Sequence, residues 1–433
     1  MELELAGANP ERRKGPPPLS WAIMGGHEAI VKMLLEHNDT NPNAADDNGE
    51  TPLLIAAWEG IDWAIKSLLE QPDINPSITG IFGLTPLMAA AQSGNEEVVE
   101  MLLERVDVNP NSPDGLGRTA LSVAAATGHE EVVKILLERG DVNPNIADNC
   151  GYTPLAHAIN KGHEEVMKLL LERVDVNLNT RDKRGETPLA KAARDGDAEV
   201  VKMLLERVDI NPNTADKYGQ TPLSEATWWG YEEILRMLLD RADVNINTTD
   251  NRGETPLAVA AWCGFETFVK LLLERAGVNL NSVDEDGDTP LSIAALEGHE
   301  RVVKMLLQRE DIKPNTVNGN GQTPLFIAAW AGHEDVVKLL LERNDIDPNT
   351  ADERRQTPLY IAAQRGHERV VKILLERPDI NTNLTDLAGE TALSQALEPE
   401  HYSITKLRSK HRNFSPQLYD HGGMMQPLPH PGD

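Results

Sequence analysis

The chain has 433 residues, a formal net charge of −28, 4% aromatic residues and two cysteines. Such acidity argues against nucleic acid and against an anionic membrane as partners, because phosphate binding needs a basic face. No apolar run of about 18 residues and no secretory leader pattern stands in it, so a soluble, intracellular chain in the cytoplasm or nucleus is expected.

In chain order, residues 1–16 read as a degenerate partial repeat or a ragged N-terminus. Leu3-Glu4-Leu5-Ala6-Gly7-Ala8-Asn9-Pro10 resembles the tail of a unit, and Arg12, Arg13 and Lys14 replace the Asp expected in its loop. From residue 17 a unit recurs every 34 residues, and residues 17–390 hold eleven copies. Thr-Pro-Leu or Thr-Ala-Leu starts at Thr51, Thr85, Thr119, Thr153, Thr187, Thr221, Thr255, Thr289, Thr323, Thr357 and Thr391. Such a period means a solenoid, in which each unit is too small to bury its own core and does so against its neighbours. A composition-based prior of two or three globular domains is therefore set aside.

The unit at Thr323–Asn349 is the clearest. Thr323 is a good N-cap and Pro324 suits the first helical position. Leu325, Ile327, Ala328 and Ala329 form a narrow apolar face, and Gly332 ends the helix. His333-Glu334-Asp335 opens a second helix with acids at its positive end. Val336, Val337, Leu340 and Leu341 give that helix a buried stripe at helical spacing. An Asn-Pro-Asn type connector follows, as at Asn109-Pro110-Asn111. Glycines such as Gly185, Gly219 and Gly253 recur two residues before each start and suit a turn with positive φ. Asp182, Asp216 and Asp250, three residues earlier, are expected to bond local N–H groups. Arg355 stands where the other units carry Gly, which predicts a strained or reshaped turn.

These motifs resemble the ankyrin repeat family, whose signature is T-P-L-H-x-A with a 33-residue period. The resemblance covers roughly residues 17–400. It implies an all-α, elongated, curved solenoid of about twelve repeats with extended β-hairpin-like fingers. It also implies a non-catalytic protein–protein interaction scaffold that binds through a concave groove and finger tips. Two departures stand out. The family's His after Leu is replaced by residues such as Leu54, Met88, Ser122, Ala156 and Tyr360, so its hydrogen bonds must be replaced or lost. The connector carries one extra residue, which predicts a local bulge at the finger base.

Residues 391–412 read as a decayed repeat acting as a C-terminal cap, with Ile404 and Leu407 as the only apolar residues of its second helix. Residues 413–433 lack periodicity and are expected to be disordered. An alternative is that the array is the sensor or recognition part of a larger multidomain protein whose effector module lies outside this chain; a near-ideal array kept as a structural spacer is a third.

Catalysis is not expected. His-Glu recurs, as at His129-Glu130 and His333-Glu334, but a zincin needs a second His four residues on. Val133 and Val337 stand there instead. No phosphate loop, catalytic triad, cofactor site or metal site emerges. Cys150 and Cys263 lie in non-neighbouring repeats, so no disulfide between them is expected.

Positions that vary in a solenoid are free to specify a partner. One column, the residue directly after the Ala pair of the first helix, reads Met24, Trp58, Gln92, Ala126, Asn160, Arg194, Trp228, Trp262, Leu296, Trp330 and Gln364. Trp58, Arg194, Trp228, Trp229, Tyr231, Trp262 and Trp330 are the candidate partner-binding residues. The tryptophans either anchor a partner or pad the groove, and Trp21 and Trp63 are read as structural. A second anomaly places His157, Lys191 and Glu225 at a normally apolar site. These residues form either a Lys191–Glu225 ion pair across the stack or a polar pocket for a partner's charged group. Acidic fingers favour a basic or amphipathic protein segment, and the chain is expected to be a monomer.

Overall fold

The computed structural model describes residues 16–395. The partial repeat before residue 16, the second helix of the terminal unit and the tail lie outside the described residues. The chain divides into two compact units, Met1–Lys217 and Tyr218–Asp433, and each is a stack of paired helices.

In the first unit, the first helices of the pairs are Pro18–Met24, Pro52–Glu59, Pro86–Ser93, Ala120–Thr127, Pro154–Lys161 and Pro188–Asp195. Their partners are Glu28–Glu36, Asp62–Leu69, Glu96–Leu103, Glu130–Glu138, Glu164–Glu172 and Ala198–Leu205. The second unit pairs Pro222–Trp229, Pro256–Cys263, Pro290–Glu297, Pro324–Ala331 and Pro358–Gln364 with Glu232–Leu239, Glu266–Leu273, Glu300–Leu307, Glu334–Leu341 and Glu368–Leu375. It closes, within the described residues, on the turn Ala392–Gln395. Within each unit, first helices stack on first helices and second on second. The fold is the all-α solenoid that the period implied.

Local chemistry sets each helix. Thr323 is extended, and its Oγ1 accepts the N–H of Phe326 at 3.2 Å. Gly332 ends the helix in the left-handed region at φ 83°, where a side chain would be strained. Ala328, Ala329, Val337 and Leu340 are fully buried. The small alanines let successive first helices approach closely, while Val and Leu fill the layer between second helices.

Three polar ladders stitch neighbouring repeats. The connector expected to bulge is a built turn. Asn143 Oδ1 accepts its own loop's Asn145 N–H at 3.0 Å. Asn145 then reaches the next repeat, donating Nδ2–H to the Asp175 carbonyl and accepting the Asn177 N–H, both at 2.7 Å. Arg173 makes the second ladder: its guanidinium forks onto Asp175 at 2.9 and 2.6 Å and donates to the Leu137 carbonyl of the preceding repeat at 2.6 Å. Arg105, Arg139, Arg343 and Arg377 repeat this arrangement. The third ladder joins finger to finger through backbone, as from the Asn251 N–H to the Tyr218 carbonyl at 2.9 Å.

The fingers are hairpin-like in their turns. Asp182 Oδ1 accepts the N–H groups of Arg184 and Glu186, and Gly185 has φ 80°. This is the role expected of that Asp and Gly. One isolated antiparallel bridge, Thr385 with Thr391, accompanies them. Arg355 adopts φ 61°, as its place in the series predicts, and Phe82 adopts φ 57° where Gly80 replaces the turn Asp. The missing family His is replaced only in places. Ser224 and Ser292 Oγ accept the N–H of Thr221 and Thr289, and Tyr360 donates to Asp386 Oδ2 at 2.9 Å. Leu54 and Met88 are simply buried apolar residues.

Candidate binding surface

The C-terminal ends of the first helices carry the variable column. Trp58 is 41% exposed, Trp228 40%, Trp262 48% and Trp330 38%, so each presents a broad apolar face to solvent. The helix ends at Trp58, Trp262 and Trp330 are held by a contact that sequence reasoning missed. His299 Nε2 donates to the Trp262 carbonyl at 2.9 Å, and His367 Nε2 to the Trp330 carbonyl at 3.1 Å. Asn95 Nδ2 serves the Ala57 carbonyl at 3.1 Å, beside Trp58. Each such His belongs to the repeat after the Trp, and it caps helix-end carbonyls that have no partner within their helix. The recurring His-Glu phrase is the signal in the sequence that marks this contact.

In the second unit the column changes character. Trp228 and Trp262 stack with centroids 5.5 Å apart and planes 8° from parallel. Beneath them, Phe265 takes the place of the clamping His, packing over Gly230 and against Phe268 at 5.2 Å. Phe268, in the second helix of its pair, is buried. Trp229 is 54% exposed and donates Nε1–H to Glu225 at 3.1 Å. Tyr231 is half-buried at the N-cap of the following helix. Burial lifts the carboxyl pKa of Glu254, and the Asp250 charge adds to the effect. This cluster is therefore an aromatic ledge with the Glu225 carboxylate against it.

Lys191 pairs with Asp195 at 2.7 Å, and Glu225 accepts the Nε1–H of Trp229, each on its own helix. His157 Nε2 lies 3.0 Å from Asp148, and burial depresses its pKa against the pull of that carboxylate. The space lined by Tyr152, Glu186 and Lys191 is about 10 Å³, enough for one water and no partner group. Trp21, read as structural, is 59% exposed.

Arg194 is placed in the column but is engaged by the buried Glu186 and by Asp195 at 3.3 Å. Trp330 carries a neighbour that the sequence reading did not single out: the Arg365 guanidinium lies 4.5 Å above its ring centroid. Among the described residues, no group of three or more His, Cys, Asp or Glu could hold a metal ion, and no helix is long and apolar enough to cross a membrane. Cys150 and Cys263 are free thiols.

Comparison with known proteins agrees with the architecture. The family model described as ankyrin repeats (3 copies) matches residues 2–79, 65–148, 87–180, 140–216, 174–250, 216–284, 241–318 and 259–352. A second, described as ankyrin repeats (many copies), matches residues 331–375. The chain therefore belongs to the ankyrin repeat family, whose repeats are in general non-catalytic modules of protein–protein interaction. Among solved structures, the crystal structure of EF0377, an ankyrin repeat protein, is similar at 29% identity, covering 46% of this chain and 98% of its own, with a TM-score of 0.42. No curated protein matches the chain.

Proposed function

We propose that this chain is a non-catalytic scaffold that captures a basic or amphipathic protein segment on the aromatic ledge of its second unit. The observation that carries the reading is the exposed, stacked pair Trp228 and Trp262, with Trp229 beside it. An exposed Trp pair offers a large contact area that loses little entropy on binding, which is why Trp dominates interface hot spots. Glu225 beside Trp229 favours a cationic group over the rings. Trp58, Trp330 and Tyr231 extend the same reading, and Arg194 holds its helix end through Glu186 rather than serving as an anchor. On this reading residues 17–390 act as eleven repeats, 391–412 cap them, and the scaffold works as a monomer in the cytoplasm or nucleus, where free thiols persist.

The test is a double variant, Trp228→Ala with Trp262→Ala, used as bait beside the natural chain in native lysate. Circular dichroism first establishes that the helical content is unchanged. Loss of a hot-spot pair should weaken capture by about thirtyfold or more, corresponding to about 2 kcal/mol or more. An identical set of bound proteins at identical yield would reject the ledge as the contact surface.

A further inference from the structure

The charge of this protein is overwhelmingly negative, yet one stretch of the same surface gathers arginines without an ion-pair partner among the described residues. Arg354 and Arg355 occupy one finger, and Arg365 ends the helix behind it. Elsewhere arginines are mostly consumed: Arg173, Arg343 and Arg377 each fork onto the Asp two residues on. Neither Arg354 nor Arg365 has a carboxylate of a described residue within ion-pair distance. Arg365 instead lies over Trp330, a geometry that leaves its N–H edges free for an incoming acceptor.

The two guanidinium groups line a single opening of about 440 Å³ together with Trp330 and Gln364. Asp352 and Glu353 also border it. Asp352 is turned inward to its own turn, where Oδ1 accepts the N–H groups of Arg354 and Gln356 at 2.9 and 2.8 Å. The finger also carries the backbone outlier. Arg355 holds φ 61°, a conformation that Gly supplies at the same place in every other described finger turn. Non-Gly residues held in that region cluster at binding sites, where the cost is offset by function.

We infer that Arg354 and Arg365 form an anion subsite that receives an Asp or Glu side chain of the captured protein segment. The inference rests on the proposed ledge and adds a register to it. Trp262 and Trp330 stand two repeats apart, roughly 16–20 Å at the usual helix spacing. An extended segment covers that distance in about five or six residues. The recognised segment is thus charge-polarised: a cationic or apolar anchor on Trp228 and Trp262, and a carboxylate five or six residues along. Guanidinium forks match carboxylates in a way that ammonium groups do not. A nucleic acid fits poorly, since its charge repeats along its whole length against an acidic surface.

The test uses three fluorescein-labelled twelve-residue peptides and the full chain, read by fluorescence anisotropy. The first carries a Lys pair and, five residues on, a Glu pair. The second replaces the Glu pair by Gln, and the third replaces the Lys pair by Gln. Removal of the Glu pair should weaken binding to the natural chain about tenfold, and should have little effect with the Arg354→Gln, Arg365→Gln double variant. Equal binding of the first two peptides to the natural chain, or a Glu penalty that persists in the variant, overturns the subsite. If the Lys pair alone matters, the ledge stands and the subsite falls. If none of the three binds, both fall.

Discussion

The Asn ladder offers the sharpest test of what holds neighbouring repeats together. Asn145 gives its Nδ2–H to the Asp175 carbonyl and takes the Asn177 N–H on Oδ1, each at 2.7 Å. Asn145→Ala removes both links and leaves two backbone groups to water. Each bond contributes about 0.5–1.5 kcal/mol net, and solvent access places these at the lower end, so the loss should be about 1–2 kcal/mol. Nature supplies the reverse case at Ser77, where a single bond from Oγ to the Asp107 carbonyl at 3.1 Å stands in the corresponding place. Ser77→Asn should restore the second link and gain about 0.5–1 kcal/mol. Urea unfolding followed by circular dichroism measures both, and hydrogen exchange at the Asn177 amide reports the local opening. A linear stack feels the loss as a weakened interface between neighbours, so the transition should broaden as well as shift. An Asn145→Ala cost below about 0.3 kcal/mol, or destabilisation by Ser77→Asn, would refute the claim that these amides carry the interface.

Other predictions follow from the same geometry. Gly298 has φ 76°, and a Cβ there would lie 2.6 Å from the His333 ring, so Gly298→Ala should cost about 1–3 kcal/mol in urea unfolding. Arg355→Gly relieves the outlier and should raise the thermal midpoint, by an amount corresponding to about 1 kcal/mol. The Arg173 fork holds the Asp175 carboxyl below its usual range. Its folded pKa is then lower than its unfolded one, and the stability it adds is complete above about pH 4 and lost as pH falls further. Asp175→Asn should flatten that acid limb of the urea midpoint slightly, since the pair is half-exposed. Glu254 has the opposite sign, because burial raises its folded pKa and its ionisation costs stability at neutral pH. Glu254→Gln should therefore stabilise the chain at pH 7, with the gain vanishing below about pH 4 in the same titration.

The period of 34, the helix starts at Thr-Pro-Leu and the buried stripe were readable from the chain itself. They repeat, and local rules of capping, glycine conformation and helical spacing decide them within about ten residues. The positive φ of Arg355 was legible for the same reason. The sequence also marked the tryptophan column, because a solenoid makes equivalent positions visible by counting. Other features were decided only when helices stacked. The His299 clamp on Trp262, the stacking of Trp228 on Trp262 and the seat of Arg365 over Trp330 join residues about a full repeat apart. Lys191 illustrates the limit. Counting showed an unusual site but not its partner Asp195, one helical turn away. Equivalent positions are set by the backbone repeat, whereas side-chain partners are chosen by distance and direction in space, and these exist only once neighbouring helices have packed.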